Sequence, residues 1–208
     1  MTPRIIATEA DLAAAAEELV ALEPRFGPVV AAGPLPMRRR ADGFAALLSA
    51  IVAQQVSTAS AAAIWSRLEA AGLVTEAAVA AADDGALRAC GLSRPKMRYA
   101  RALASAGLDW TALRDAPTDG VVGTLTTVPG VGRWTAEIYA KFALGHADAF
   151  AAGDLALQEA ARRLFGLEAR PPERDLRAMA EGWRPVRAVA ARALWVYYRL
   201  DTDREGVL

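Results

Sequence analysis

Phe44, Leu47, Leu48, Ile51 and Val52 recur at the i, i+3, i+4, i+7 and i+8 spacing that places five apolar side chains on one face of an α-helix. β-branched residues elsewhere rarely alternate with polar ones. Alanine runs such as Ala13 to Ala16 and Ala61 to Ala63 supply the residue that costs least in a helix. The chain is therefore expected to be all-α. At 208 residues, 54% hydrophobic and 23% charged, it is long enough to bury a substantial core.

Punctuation residues divide the remainder. Thr8 and Asp11 resemble a capping box opening a helix from Glu9 to Leu22, which Pro24 stops. A loop rich in Gly and Pro leads to Arg38, Arg39 and Arg40, read as a solvated basic edge, and to a turn at Asp42-Gly43. After Gln54 to Thr58 a second helical run, with Ile64, Trp65 and Leu68, ends at Gly72. Asp83-Asp84 and Ser93 read as N-caps of a short helix ending at Gly91 and a longer one from Pro95 to Ala106. Thr118 or Asp119 starts another, and helices are expected over Arg133–Leu144, Asp154–Phe165, Glu173–Trp183 and Pro185–Arg199.

Composition excludes several chemistries. Cys90 is the single cysteine, so an intramolecular disulfide framework, a cysteine zinc cage and a four-cysteine iron–sulfur cluster are ruled out. The N-terminus has no basic stretch leading into a long apolar run, and no segment has the length of a membrane span, so a cytoplasmic protein with no membrane partner is expected. Basic and acidic residues balance at 24 each, so a polyanion could be held only by a local patch or by main-chain groups.

One segment supplies such groups. In Leu125 to Ala136 two helices are joined by Pro129-Gly130-Val131-Gly132. Gly130 and Gly132 permit positive φ and a close backbone approach, and the following helix begins with unpaired N–H groups pointing outward. Such a terminus holds a phosphate without lysines. The same turn could also be an ordinary helix–helix connection whose glycines serve only as a cap.

These residues resemble the helix-hairpin-helix (HhH-GPD) DNA glycosylases, most closely the 3-methyladenine DNA glycosylase II, AlkA-like branch. The resemblance spans nearly the whole chain through five anchors in the family's order: Ile51 to Ser57; Gly91-Leu92-Ser93 with Lys96 and Tyr99; the hairpin; Gly153 to Leu157; and Trp183 to Arg187 with Trp195 beyond. It implies two helical lobes with a cleft between them, a central lobe over 44–118, the hairpin over 119–144, and a second lobe from 1–43 plus 145–208. It also implies that the partner is double-stranded DNA containing damaged bases, bound by a monomer that needs no redox cofactor or divalent metal.

A glycosylase must extrude its target nucleotide, fill the gap and stabilise an electron-poor sugar. Asp154 matches the family's catalytic aspartate, and ionised it would stabilise an oxocarbenium-like sugar. Its plainer reading is an N-cap of the helix that begins at Leu155, and both roles can coexist. Bifunctional relatives carry a Schiff-base lysine where Trp134 stands; an indole cannot form the imine, so hydrolysis to an abasic site without lyase activity is expected. Trp134, Trp195 and Tyr139 are candidate aromatic walls for cationic purines such as 3-methyladenine and 7-methylguanine, and Ile138 replaces a pocket tyrosine of some relatives. Core packing is the alternative for Trp195, and packing is assigned to Trp65, Trp110 and Trp183.

Gln54, Gln55 and Ser57 are candidate DNA contacts, Gln55 at the wedge position. Lys96 is a candidate phosphate contact, on a basic helix with Arg94, Arg98 and Arg101. Val128, Gly130, Val131, Gly132, Arg133 and Thr135 form the hairpin's DNA-facing set. Related hairpins hold Na+ or K+ on carbonyls that would correspond to Thr126, Val128 and Val131. His146 and Cys90 are read as an incidental loop residue and a small core residue. Two alternatives stay open: a non-catalytic helix-hairpin-helix DNA-binding module, and a glycosylase for another lesion such as hypoxanthine.

Overall fold

A computed structural model describes residues 2–202. Its helices run in chain order α1 (Glu9–Leu22), α2 (Gly27–Ala31), α3 (Phe44–Ala53), α4 (Thr58–Ala70), α5 (Glu76–Ala81), α6 (Asp84–Ala89), α7 (Arg94–Ala104), α8 (Trp110–Asp115), α9 (Thr118–Leu125), α10 (Arg133–Tyr139), α11 (Leu155–Leu164), α12 (Glu173–Ala180) and α13 (Arg187–Thr202). Among the described residues there is no strand. An antiparallel bridge joins Ile5 to His146, and among the described residues no helix is long and apolar enough to cross a membrane. The all-α expectation is met.

Local chemistry sets most boundaries. Thr8 and Asp11 form the reciprocal capping box of α1, and Asp83 caps α6 through a bond from Ala86 N. Ser93 occupies the N-cap position of α7 but makes no side-chain bond. Pro95 at the second helical position has no N–H to donate, which removes one of the two groups such a cap uses. The helix expected over Arg133–Leu144 keeps α geometry only to Tyr139 and finishes as a π-turn over Ala140–Leu144. The helix expected from Pro185 begins at Arg187.

The chain divides into two compact units. One comprises residues 40–139. In it α3 turns its apolar stripe toward α4, α7 and α10, and Leu47, Leu48 and Ile51 are fully buried. The other joins residues 2–39 to 140–202 of the described chain. There α13 packs against α11 and α1 over a core that includes Leu12, Leu19, Phe26, Leu157, Val189 and Leu194. Trp183 centres an aromatic cluster in that core: Phe26 meets it edge-on at 5.3 Å and Phe165 stacks on it at 5.6 Å. Trp183 is thus a packing residue, and Cys90 is likewise buried.

His146 departs from the loop reading. It is 1% exposed, with its N–H donated to Ala140 O and its neighbours bonded to Arg4 and Ile6. Burial, then the nearby Arg39 charge, pushes its imidazole pKa down to about 4.

Candidate functional site

In the 40–139 unit, α9 and α10 flank the Pro-Gly-Val-Gly turn. Gly130 has φ 90°, and a Cβ there would lie 2.3 Å from Tyr99 Cγ. Only glycine fits, because the turn is seated on the Tyr99 side chain while adopting a left-handed backbone. Gly132 is exposed, with nothing near the place a Cβ would occupy. Its face of the turn is open to another backbone.

Side chains around the turn are committed inward. Gln54 donates its amide to Gly130 O at 3.0 Å and Thr135 Oγ1 at 3.3 Å, tying the end of α3 to the hairpin. Its amide hydrogens, and the buried Thr135, serve the fold. Lys96 is buried, not an exposed phosphate contact: Nζ donates to Val52 O at 2.6 Å and caps the last turn of α3. Desolvation holds its pKa below the ordinary lysine value. Arg133 pairs with Glu137, Arg101 with Asp84, and Ser57 caps α4 from an exposed position.

Gln55 is different. It is exposed, and its φ of 55° puts a non-glycine residue in the left-handed region just after α3. Val128 and Val131 are buried within the turn. Val128 O accepts Val131 N–H at 3.0 Å, leaving one lone pair of that carbonyl for a cation. Ile138 and Tyr139 are buried. The Tyr139 hydroxyl accepts Gly43 N–H at 2.8 Å and its ring lies 6.2 Å from Trp110. Burial pushes the phenol pKa up to about 12. Tyr139 is thus a core residue rather than a free wall, and Trp134, in the same unit, is half-buried.

In the unit formed by the two chain ends, Asp154 is the N-cap of α11. Oδ1 accepts Ala156 N–H at 2.9 Å and Leu157 N–H at 3.4 Å, while Oδ2 accepts no hydrogen bond from the described residues. A backbone-anchored carboxylate thus keeps one oxygen for a ligand. Asp154 lines a pocket with Pro36, Arg38, Lys141, Phe142 and Leu157, closed by Ala191, Arg192 and Trp195 of α13. The structure brings Asp154 and Trp195 together.

Asp154 caps a helix, as the sequence suggested, and also faces a cavity. A match of residues 48–185 to the model of the HhH-GPD superfamily base excision DNA repair proteins accompanies this geometry. The chain belongs to that superfamily. It is 35% identical over 209 aligned residues to a Mycobacterium tuberculosis protein called "Probable bifunctional transcriptional activator/DNA repair enzyme AlkA", covering 92% of this chain and 41% of the relative. It therefore spans about two fifths of that relative's length. It is 31% identical to DNA-3-methyladenine glycosylase 2 of Escherichia coli, over 74% of this chain and 57% of that protein. A solved Bacillus halodurans DNA-3-methyladenine glycosidase superposes with a TM-score of 0.81 at 29% identity, covering 98% of this chain and 95% of that one. The resemblance is thus to the AlkA-like branch of the superfamily.

Several pocket residues of this HhH-GPD protein escaped sequence reasoning. Arg38, read as part of a solvated edge, lines the pocket with its guanidinium 3.8 Å from the Trp195 ring centre. Lys141 and Phe142 come from the π-turn after α10, a geometry that the helix expected over Arg133–Leu144 does not announce. Arg192 did leave a signal: it is a lone charge inside the apolar run Ala188 to Leu194 of α13.

Proposed function

We propose that this chain is a monofunctional DNA glycosylase that flips a damaged base out of duplex DNA and hydrolyses its N-glycosidic bond, with alkylated purines as substrates. The observation that carries this reading is Asp154, a pocket-lining residue fixed by two main-chain N–H groups through one oxygen while the other accepts no hydrogen bond from the described residues. The relatives' names, DNA-3-methyladenine glycosylases among them, support the substrate class.

The chemistry follows from charge. As the C1′–N bond lengthens, the sugar becomes oxocarbenium-like, and a preorganised carboxylate lowers that state's energy more than the ground state's. Two donated N–H bonds hold the carboxylate in place, so little reorganisation is needed as charge develops. Asp154 also orients the water that adds to C1′ and accepts its proton. The exposed main chain at Gly132 holds a phosphate at the start of α10. Gln55, raised by its left-handed backbone, fills the gap left by the extruded nucleotide. Carbonyls of Thr126, Val128 and Val131 are the groups that would hold Na+ or K+ at the turn, fixing the hairpin's carbonyls in place.

Trp134 stands where a Schiff-base lysine would be needed, which supports hydrolysis without strand cleavage. Lys141 lies in the pocket, so the test includes it. Wild-type protein should release methylated purine from methylated duplex DNA as a monomer. Asp154→Asn should lower that rate at least about 100-fold, and borohydride should trap no adduct. Binding without release would leave a DNA-binding module, and an adduct lost in Lys141→Gln would make the enzyme bifunctional.

A further inference from the structure

We infer that Lys96 is a positioning residue for Gln55: by holding the last turn of α3 it aims that side chain at the gap left by the extruded nucleotide, at a fixed place relative to the hairpin. The inference rests on the glycosylase reading above and on the part it gives to Gln55.

Lys96 is 9% exposed, and its Nζ donates to Val52 O at 2.6 Å. Val52 is the last residue but one of α3, in the turn whose carbonyls have no donors within the helix. A buried apolar side chain would fill the same site at a lower desolvation cost, so the amine is there for the carbonyl it reaches. Burial holds its pKa below the ordinary lysine value. Charged or neutral, the amine keeps an N–H to donate.

The main chain changes direction just beyond. Gln54 is extended, with φ −62° and ψ 132°, and Gln55 follows with φ 55°. A left-handed backbone is unfavourable for a residue that carries a Cβ. Gln55 is also exposed, and its side chain makes no hydrogen bond to the described residues that would hold it there. The conformation is therefore imposed by the helix end that precedes it. The Lys96 amine is bonded to the main chain of that end, and main chain is what aims Gln55.

The same helix seats the hairpin. Tyr99, one turn along α7 from Lys96, lies against the Pro-Gly-Val-Gly turn so closely that Gly130 has no room for a Cβ. α7 thus carries two elements at once, the end of α3 through Lys96 and the turn through Tyr99, all within the 40–139 unit. The hairpin grips a phosphate, and Gln55 enters the base stack at a set distance from it. A common mount keeps that distance, which matters because misplacement by about 1 Å can cost on the order of 100-fold in rate.

A residue that only stabilised α3 would affect every substrate alike. One that acts through Gln55 matters most where a base pair must be broken. Single-turnover release of 7-methylguanine at saturating enzyme separates the two, with the lesion opposite cytosine in one duplex and opposite an abasic site in the other. Gln55→Ala should slow the paired duplex about 10-fold more than the unpaired one. Lys96→Met keeps the apolar stem and loses the donor, and should shift the ratio the same way by about as much. In the Gln55→Ala background it should shift the ratio no further. Lys96→Arg keeps a donor but displaces its head, and should give a smaller shift; if Lys96→Met does not fold, this variant carries the same comparison. Equal slowing of both duplexes, an unchanged ratio, or a further shift in the Gln55→Ala background would overturn the assignment. A Gln55→Ala ratio equal to wild type would overturn the reading of Gln55 beneath it, and a wild type that releases nothing would overturn the glycosylase reading.

Discussion

Around the hairpin nearly every polar side chain near the turn is spent on the protein itself: Gln54 on Gly130 and Thr135, Lys96 on Val52, Arg133 on Glu137. Around Asp154 hydrogen-bonding capacity is left over, on Asp154 Oδ2 and on Nε and Nη2 of Arg192. The two regions suit different tasks. A surface that grips a backbone through main-chain N–H groups needs its loop held rigidly, and satisfied side chains supply that rigidity. A pocket that must meet a changing charge needs groups still free to respond, and tolerates the cost of leaving them unsatisfied.

If the hairpin is rigid by construction, its tightest point should be the least forgiving. Gly130→Ala drives a Cβ into Tyr99 and imposes a left-handed residue, and should cost about 3 kcal/mol in denaturant unfolding. An unchanged midpoint would break the comparison.

Acid should expose the other unit first. His146 titrates near pH 4 in the folded protein and at its ordinary value of 6.5 when unfolded. The unfolded chain therefore binds more protons between those values, and stability is full above pH 6.5. It declines as pH falls toward 4, by up to about 3 kcal/mol, and levels off below. His146→Gln should flatten that part of the stability–pH curve, and an unaltered slope would show that the imidazole is not buried neutral.

Gln54→Leu removes both amide donors, leaving Gly130 O and Thr135 Oγ1 without them. It should cost about 1–2 kcal/mol and weaken DNA binding with little change in base release from saturated complexes. Smallest, and opposite in sign, Gln55→Gly relieves a left-handed backbone and should stabilise the fold by about 0.5–1 kcal/mol. It should also slow base release. Lost stability would mean that the strain at Gln55 is repaid by contacts within the fold.

Much of this was legible in the sequence because it depends on near neighbours in the chain. The α3 stripe, the Thr8 box, the Asp83 and Asp154 caps and the glycine turn are all set within a few residues, and each was found where the pattern put it. Lys96 was misjudged because its partner, Val52, lies 44 positions away, and a lysine's sequence neighbours do not reveal whether its ammonium reaches water or a carbonyl. Tyr139 and His146 failed for the same reason: their settings depend on Gly43 and on the Ile5 segment.

The sequence by itself determined the helical class, the starts of the capped helices, the hairpin and the carboxylate, since periodicity, caps and turn glycines act through local backbone geometry. Tertiary structure alone decided which charges share a pocket. Arg38, Lys141, Asp154 and Arg192 come from a loop, a π-turn, a helix cap and α13. Only packing of distant segments sets the distances and burial on which their chemistry depends.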